Sequence, residues 1–185
     1  FKLVMDVHLM GSVNCTKAVW DLMREQNYGR IVMTTSSSGM YGNFGQSNYG
    51  AAKMALVGLM NTLVLEGAKH NIKVNALAPT AGTRMTEDLM PEQMVKILAP
   101  EAVTAGLITL CDEDAPNRTI LCAGAGGYAT ANMFETEGIF LPIAEQTPEA
   151  VREQWAQLTN QEQQCALEAG VKQSEKFVMK AMAAL

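Results

Sequence analysis

Tyr49 and Lys53 stand four residues apart, a spacing that puts both side chains on one face of a helix about one turn from each other. A phenol loses its proton only at high pH, and an ammonium beside it favours the anion. The pair therefore suits proton transfer near neutrality. Ser36 lies thirteen residues upstream, where its hydroxyl could polarise a carbonyl. In a chain with four tyrosines a Tyr-x-x-x-Lys pair arises by accident roughly one time in five. Requiring a serine at that distance lowers the chance rate below about one in a hundred.

These residues need elements to hold them. Leu3, Val7, Met10, Cys15, Val19 and Leu22 recur at near-helical spacing, which predicts a long helix over 2–26 with Gly29 as its C-cap glycine. Residues 30–35 (RIVMTT) are short, apolar and bounded by Gly29 and a serine run, the profile of a buried strand. A loop with glycines at 39, 42 and 45 follows, then a helix over 48–69 rich in Ala, Met and Leu. Strands are expected at 72–77 and 118–123, with a loop over 79–83 and short helices from Pro91 and Pro100 between them. This alternation predicts an α/β fold with a parallel sheet covered by helices on both faces. Ser36 and Tyr49 would then flank a strand-to-helix junction, where such sheets bind their ligands. Past Gly127 the pattern loosens into a mostly helical extension, 128–185. Thr147-Pro148-Glu149 should open one helix there, and Thr159 to Glu162, at capping-box spacing, another.

Composition excludes several classes. At 185 residues, with 48% hydrophobic and 18% charged, the chain is long enough for one ordinary domain and is neither disordered nor fibrous. No apolar run reaches about 18 residues, so no membrane span is expected. A net charge of -5 opposes a broad grip on nucleic acid. The four cysteines, at 15, 111, 122 and 165, form no C-x-x-C pair and have no adjacent histidine, so neither a metal site nor a disulfide scaffold is expected. A reduced, cytoplasmic setting fits, and no secretory signal is seen at Phe1 to Val7. The glycines at 39, 42 and 45 do not have the G-x-G-x-x-G spacing of a phosphate cradle.

The segment GRIVMTTSSSGMYGNFGQSNYGAAK resembles the active-site region of the short-chain dehydrogenase/reductases. With VHLMGS and APTAGTRMT it is similar, within that superfamily, to the (3R)-hydroxyacyl-CoA dehydrogenase units of peroxisomal multifunctional enzymes and their bacterial relatives. The resemblance covers residues 1–127. It implies the C-terminal part of a Rossmann-like doubly wound sheet, an NAD or NADP cofactor, and a small-molecule substrate, an acyl-CoA among the options. It further implies Tyr49 as catalytic acid/base, Lys53 as the residue that promotes its ionisation and binds the nicotinamide ribose, and Ser36 as the carbonyl-orienting hydroxyl. His8 takes the position of the family's usual asparagine, whose part in a proton relay passes to it or is lost. Pro79, Thr80, Ala81, Gly82 and Thr83 match the loop that holds the nicotinamide carboxamide, with Thr80 in place of a glycine. Met40, Tyr41 and Phe44 fall on the substrate side, and Met85, Met90 and Met94 could face an apolar substrate. A peroxisomal location is implied if the chain is of a eukaryotic kind.

The family's glycine-rich T-G-x-x-x-G-x-G turn, its N-N-A-G segment and the acidic selector of the adenosine ribose are expected ahead of Phe1. The chain is read as the C-terminal portion of a protein of about 300 residues. The helices over 2–26 and 48–69 are apolar around more of their circumference than one core face needs. That favours a second buried surface and, with the family's habit of pairing these helices, a homo-oligomer. Two other readings stay open: a dehydratase or epimerase on the same scaffold, and a catalytically silent binding subunit.

Overall fold

The computed structural model describes residues 1–83 and 91–184. Among the described residues four strands make one sheet in the order β1 (Gly29–Thr34), β2 (Ile72–Pro79), β3 (Ile120–Gly124), β4 (Gly127–Ala131). The first three run parallel, Thr34 opposite Leu77 and Pro79 opposite Ala123, so their carboxyl ends lie side by side at one edge of the fold. The chain enters through α1 (Lys2–Met5), a π-helical turn (Asp6–Met10) and α2 (Gly11–Glu25). After β1 come α3 (Ser37–Tyr41) and α4 (Ser47–Gly67), and between β2 and β3 lie α5 (Glu92–Ile97) and α6 (Glu101–Cys111).

Alternation along the strands builds two cores. Met33, Ile72, Val74 and Ala76 face one side and bury against Leu56, Val57, Met60 and Val64 of α4, with Trp20 and Met23 of α2 packed on them. Leu77 and Ala123 face the other side and meet Val103 and Leu110 of α6. Asn75 is fully buried in the middle strand, yet both ends of its amide are paired: Oδ1 accepts from Thr119 N–H and Nδ2 donates to the Pro116 carbonyl.

The fold departs from the sequence expectations in several places. The first helix is not uniform, because the π turn interrupts it. It ends through Asn27, whose φ is 50°, while Gly29 opens the strand. A Cβ at Gly29 would lie 2.6 Å from Met23 Sδ, so close packing rather than a cap selects glycine there. The third strand begins at Ile120 rather than 118. Arg118 sits at positive φ, gives its amide to the Val74 carbonyl, and anchors its guanidinium on Asn61. The fourth strand, β4, was not foreseen. It returns antiparallel through Ala125-Gly126, both at positive φ, the turn geometry that suits a two-residue hairpin. The stretch Ser47–His70 is, by length and a mean hydropathy of 1.2, apolar enough to cross a membrane, contrary to the expectation of no such run. In the fold its α4 portion is the core helix. A second stretch of that kind, Glu92–Cys111, is broken at Pro100 between α5 and α6.

The chain divides into two compact units, Phe1–Ala131 and Asn132–Leu185. The second holds α7 (Pro148–Glu153), α8 (Trp155–Leu158) and α9 (Gly170–Ala183). As expected, Thr147 caps α7, its hydroxyl accepting from Ala150 N–H. No helix opens at Thr159. Its hydroxyl bonds back to the Trp155 carbonyl, and Asn160 Oδ1 catches the Glu162 amide in a turn. Within this unit Glu135 pairs with Lys176 and Glu137 with Lys180, and Lys176 also donates to the Thr136 carbonyl at 2.9 Å.

Candidate active site

Beyond Thr34 at the end of β1, Ser36 leaves the strand with extended backbone and caps α3, its Oγ accepting from Ser38 N–H at 3.2 Å. Five residues later α3 ends, and the connection to α4 is held by side chains. Asn43 Nδ2 donates to Ser38 Oγ at 2.8 Å, and Ser38 Oγ–H donates to Gln46 Oε1 at 2.8 Å. These two helices touch through glycines. A Cβ at Gly39 would sit 2.9 Å from Met54 N, and one at Gly50 would sit 2.9 Å from the Ser38 carbonyl. Backbone thus lies on backbone, and this fixes Ser36 relative to the first turns of α4.

Tyr49 and Lys53 occupy those turns. Lys53 is only 7% exposed, and its Nζ donates to the Thr34 carbonyl at 2.8 Å. Its own backbone carbonyl accepts from the buried Thr35 hydroxyl at 2.8 Å, so the last residue of β1 and the one after it hold Lys53 from both ends. The ammonium lies 5.5 Å from the centroid of the Tyr49 ring, within reach for a cation on an aromatic face. Burial holds the Lys53 pKa below the ordinary lysine range. His8 joins this arrangement: its ring packs on Tyr49 with centroids 5.1 Å apart and planes at 87°. Its pKa is depressed, first by burial and then by the charge of Lys53.

The structure therefore brings His8, Tyr49 and Lys53 into contact, with Ser36 on the adjoining cap. The loop over 79–83 follows the neighbouring strand at the same sheet edge. Thr80 and Thr83 are exposed there, while Gly82 is buried, gives its N–H to the Leu98 carbonyl at 2.7 Å, and lies where a Cβ would press on Val95. Pro79 ends β2, and Ala81 packs on the α6 side of the sheet. Tyr41 and Phe44 are exposed, whereas Met40 packs partly against the core. Met94 is half exposed on α5; Met85 and Met90 lie outside the described residues. Sequence reasoning missed Thr35, Ser38, Asn43 and Gln46. Their signal was a run of small hydrogen-bonding residues on both sides of a helix start, which reads equally well as a loop.

The family model for the short chain dehydrogenases matches residues 1–94. The chain belongs to this family. Among its short-chain dehydrogenase relatives, the peroxisomal multifunctional enzyme type 2 of Mus musculus is 47% identical over 159 residues, 84% of this chain. A short-chain type dehydrogenase/reductase of Mycobacterium tuberculosis is 46% identical over 158 residues, 85% of this chain. The solved full-length peroxisomal multifunctional enzyme type 2 of Drosophila melanogaster superposes with a TM-score of 0.86 at 36% identity. It covers 99% of this chain, both compact units included. The chain spans 22% of the mouse protein, 55% of the mycobacterial one and 34% of the fly structure.

Proposed function

We propose that this chain supplies the proton-handling half of an oxidoreductase site that moves a hydride between a nicotinamide cofactor, NAD or NADP, and a secondary alcohol or ketone. A (3R)-hydroxyacyl-CoA is the substrate class we favour. The observation that carries the reading is Lys53, a buried ammonium beside the Tyr49 ring at the carboxyl edge of the sheet.

The donor set suits such a cofactor. Among the described residues Lys53 Nζ has one hydrogen-bond partner, so two of its three N–H donors remain for ribose hydroxyls. In this reading the exposed Thr80 and Thr83, in the loop that follows β2, meet the carboxamide. When bound, the cofactor supplies the carbon that gives or takes the hydride. In the oxidising direction Tyr49, as phenolate, takes the proton of the substrate hydroxyl, while Ser36 holds the same oxygen by a hydrogen bond. The Lys53 ammonium stabilises the negative charge carried by the phenol oxygen during the exchange. In reduction the same groups work in reverse, Tyr49 giving its proton to the carbonyl oxygen. Tyr41 and Phe44 offer apolar surface to an acyl chain.

The reading includes a homodimer formed through α2 and α4. Val13, Trp20, Leu59 and Leu63 line an apolar groove of about 350 Å³ there, and Leu22 stands exposed nearby. It places the chain in the cytoplasm, or in peroxisomes in organisms that have them.

The test is Tyr49→Phe in the natural polypeptide that carries this sequence. Turnover should fall by about 10²–10⁴-fold, the usual worth of a positioned acid/base, with the far-UV spectrum unchanged. A variant that still reduces nicotinamide at the parent rate would sink the reading.

A further inference from the structure

The helix that carries His8 departs from α geometry at that residue. Between Asp6 and Met10 it widens into a π turn, closed by the Gly11 N–H on the Asp6 carbonyl. Such single turns inside α-helices hold an extra residue and are frequent at functional sites. One added residue rotates everything before it by about 100° relative to a regular helix. Two hydroxyls support the irregular stretch: Ser12 Oγ–H donates to the His8 carbonyl at 3.0 Å, and the buried Thr16 Oγ1–H to the Ser12 carbonyl at 2.8 Å. The result is a half-buried imidazole standing at 87° to the Tyr49 ring, on the neighbouring helix α4.

We propose that His8 is a positioning residue for Tyr49: its ring braces the phenol across the two helices and fixes the direction in which the phenol oxygen is presented. The inference rests on Tyr49 being the proton-transferring group. Aromatic pairs in this perpendicular arrangement at 4.5–7 Å are attractive beyond simple burial. Tyr49 thus has two ring contacts, the imidazole of His8 and the Lys53 ammonium 5.5 Å from its centroid. A side chain without a ring could not make the contact.

The brace works in one protonation state. Of the charged and titratable groups on elements packed against the π turn, Tyr49 and Lys53 of α4 face the imidazole. Asp6 on its own turn, Lys2 of α1 and Lys17 of α2 are exposed. Protonating His8 sets a second cation beside Lys53 in a partly desolvated place, so the folded arrangement selects the neutral ring. The folded value lies below that of a free imidazole, so the neutral brace survives to a lower pH than a free histidine would. It is lost as pH falls through that folded value.

The experiment compares His8→Ala, His8→Phe, Tyr49→Phe and Tyr49→Leu in the natural polypeptide. Turnover is followed across pH, and the His8 Cε1–H resonance is followed by NMR. His8→Ala should lose about tenfold or more in kcat with KM nearly unchanged, the cost of a misplaced catalytic group. His8→Phe should recover most of that rate and lack the acid limb that the parent shows. The Cε1–H signal should carry a ring-current shift that persists in Tyr49→Phe and vanishes in Tyr49→Leu. Parent-like turnover in His8→Ala overturns the proposal. So does a His8→Phe variant as slow as His8→Ala, which would mean that ring nitrogens rather than a ring are required. Absence of the ring-current shift overturns it without any kinetics. Full activity in Tyr49→Phe would instead overturn the role of Tyr49, leaving the resonance to report on the contact itself.

Discussion

A lysine with 7% of its surface in water is held in its charged form against a desolvation cost, and Lys53 offsets little of it with a single hydrogen bond to Thr34. Because burial lowers its pKa, the folded chain releases this proton at a lower pH than the unfolded chain does. Between the folded and the ordinary lysine values the unfolded state binds more protons, so stability rises with pH across that window. Below it the full cost stands. Lys53→Met, which has no such charge, should therefore lose ground to the parent as pH rises through the window, when urea unfolding is compared over a pH series. The parent's turnover should fall over the same window, because the cation beside Tyr49 is being neutralised. A stability gap between the two proteins that does not move with pH would show that Lys53 is not held charged at a cost. That Tyr49 and Lys53 share one helix face was legible from their four-residue interval, although only Ser36 upstream lifted the pair above chance. The contact with His8 was not. It depends on a change of helical register that leaves no compositional trace, although the family position of His8 pointed to the same place.

Between α3 and α4 the decisive residues have no side chains. A Cβ at Gly39 or Gly50 would meet main-chain atoms at 2.9 Å, and main chain inside two packed helices cannot yield as a flexible side chain can. Gly50→Ala should push α3 outward, costing about 1–3 kcal/mol as overpacking and slowing turnover by moving Ser36 away from Tyr49. Gly58 lies in the same helix α4 with nothing within 4 Å of its would-be Cβ. Gly58→Ala should raise stability by about 0.5–1 kcal/mol, through helix propensity alone, and leave turnover as it was. Equal effects at the two positions in thermal melts would show that the close approach does not hold the site. The strands and long helices could be read because RIVMTT is β-branched and short and the Ala-Met-Leu run is long. The hairpin strand β4 could not: its residues are mostly exposed, so no buried face imprinted an alternation on the sequence. Thr159 misled for the reason that capping spacing is necessary for a helix start but not sufficient. Its hydroxyl found a nearer carbonyl behind it.

The two compact units are built on different physics. Every fully buried apolar side chain among the described residues lies between Met33 and Ala123, within the sheet-bearing unit. None of the described residues of the second unit is buried; ion pairs and hydrogen bonds joining α9 to residues 135–137 hold it instead. Its carboxylates Glu135 and Glu137 are held below the usual range, chiefly by hydrogen bonds from Lys176 and Lys180 respectively. A depressed carboxylate contributes stability that is present above its unfolded value and is lost as pH falls through the folded one. These ion pairs are partly exposed and so are weakened by salt screening, whereas burial of apolar surface carries no charge to titrate or screen. The unit from Asn132 should therefore open first, and at lower denaturant in acid or in high salt. The sequence carries its own probes, since its two tryptophans fall one in each unit: Trp20, packed on the core, and Trp155, at the start of α8 and 58% exposed. Variants that keep one tryptophan at a time, Trp20→Phe and Trp155→Phe, should give two separate fluorescence transitions in urea. The Trp155 midpoint should come earlier and move further down on acidification, while the Trp20 midpoint holds. Coincident midpoints that shift together would mean that the chain unfolds as one cooperative body and that the sheet's core stabilises both units.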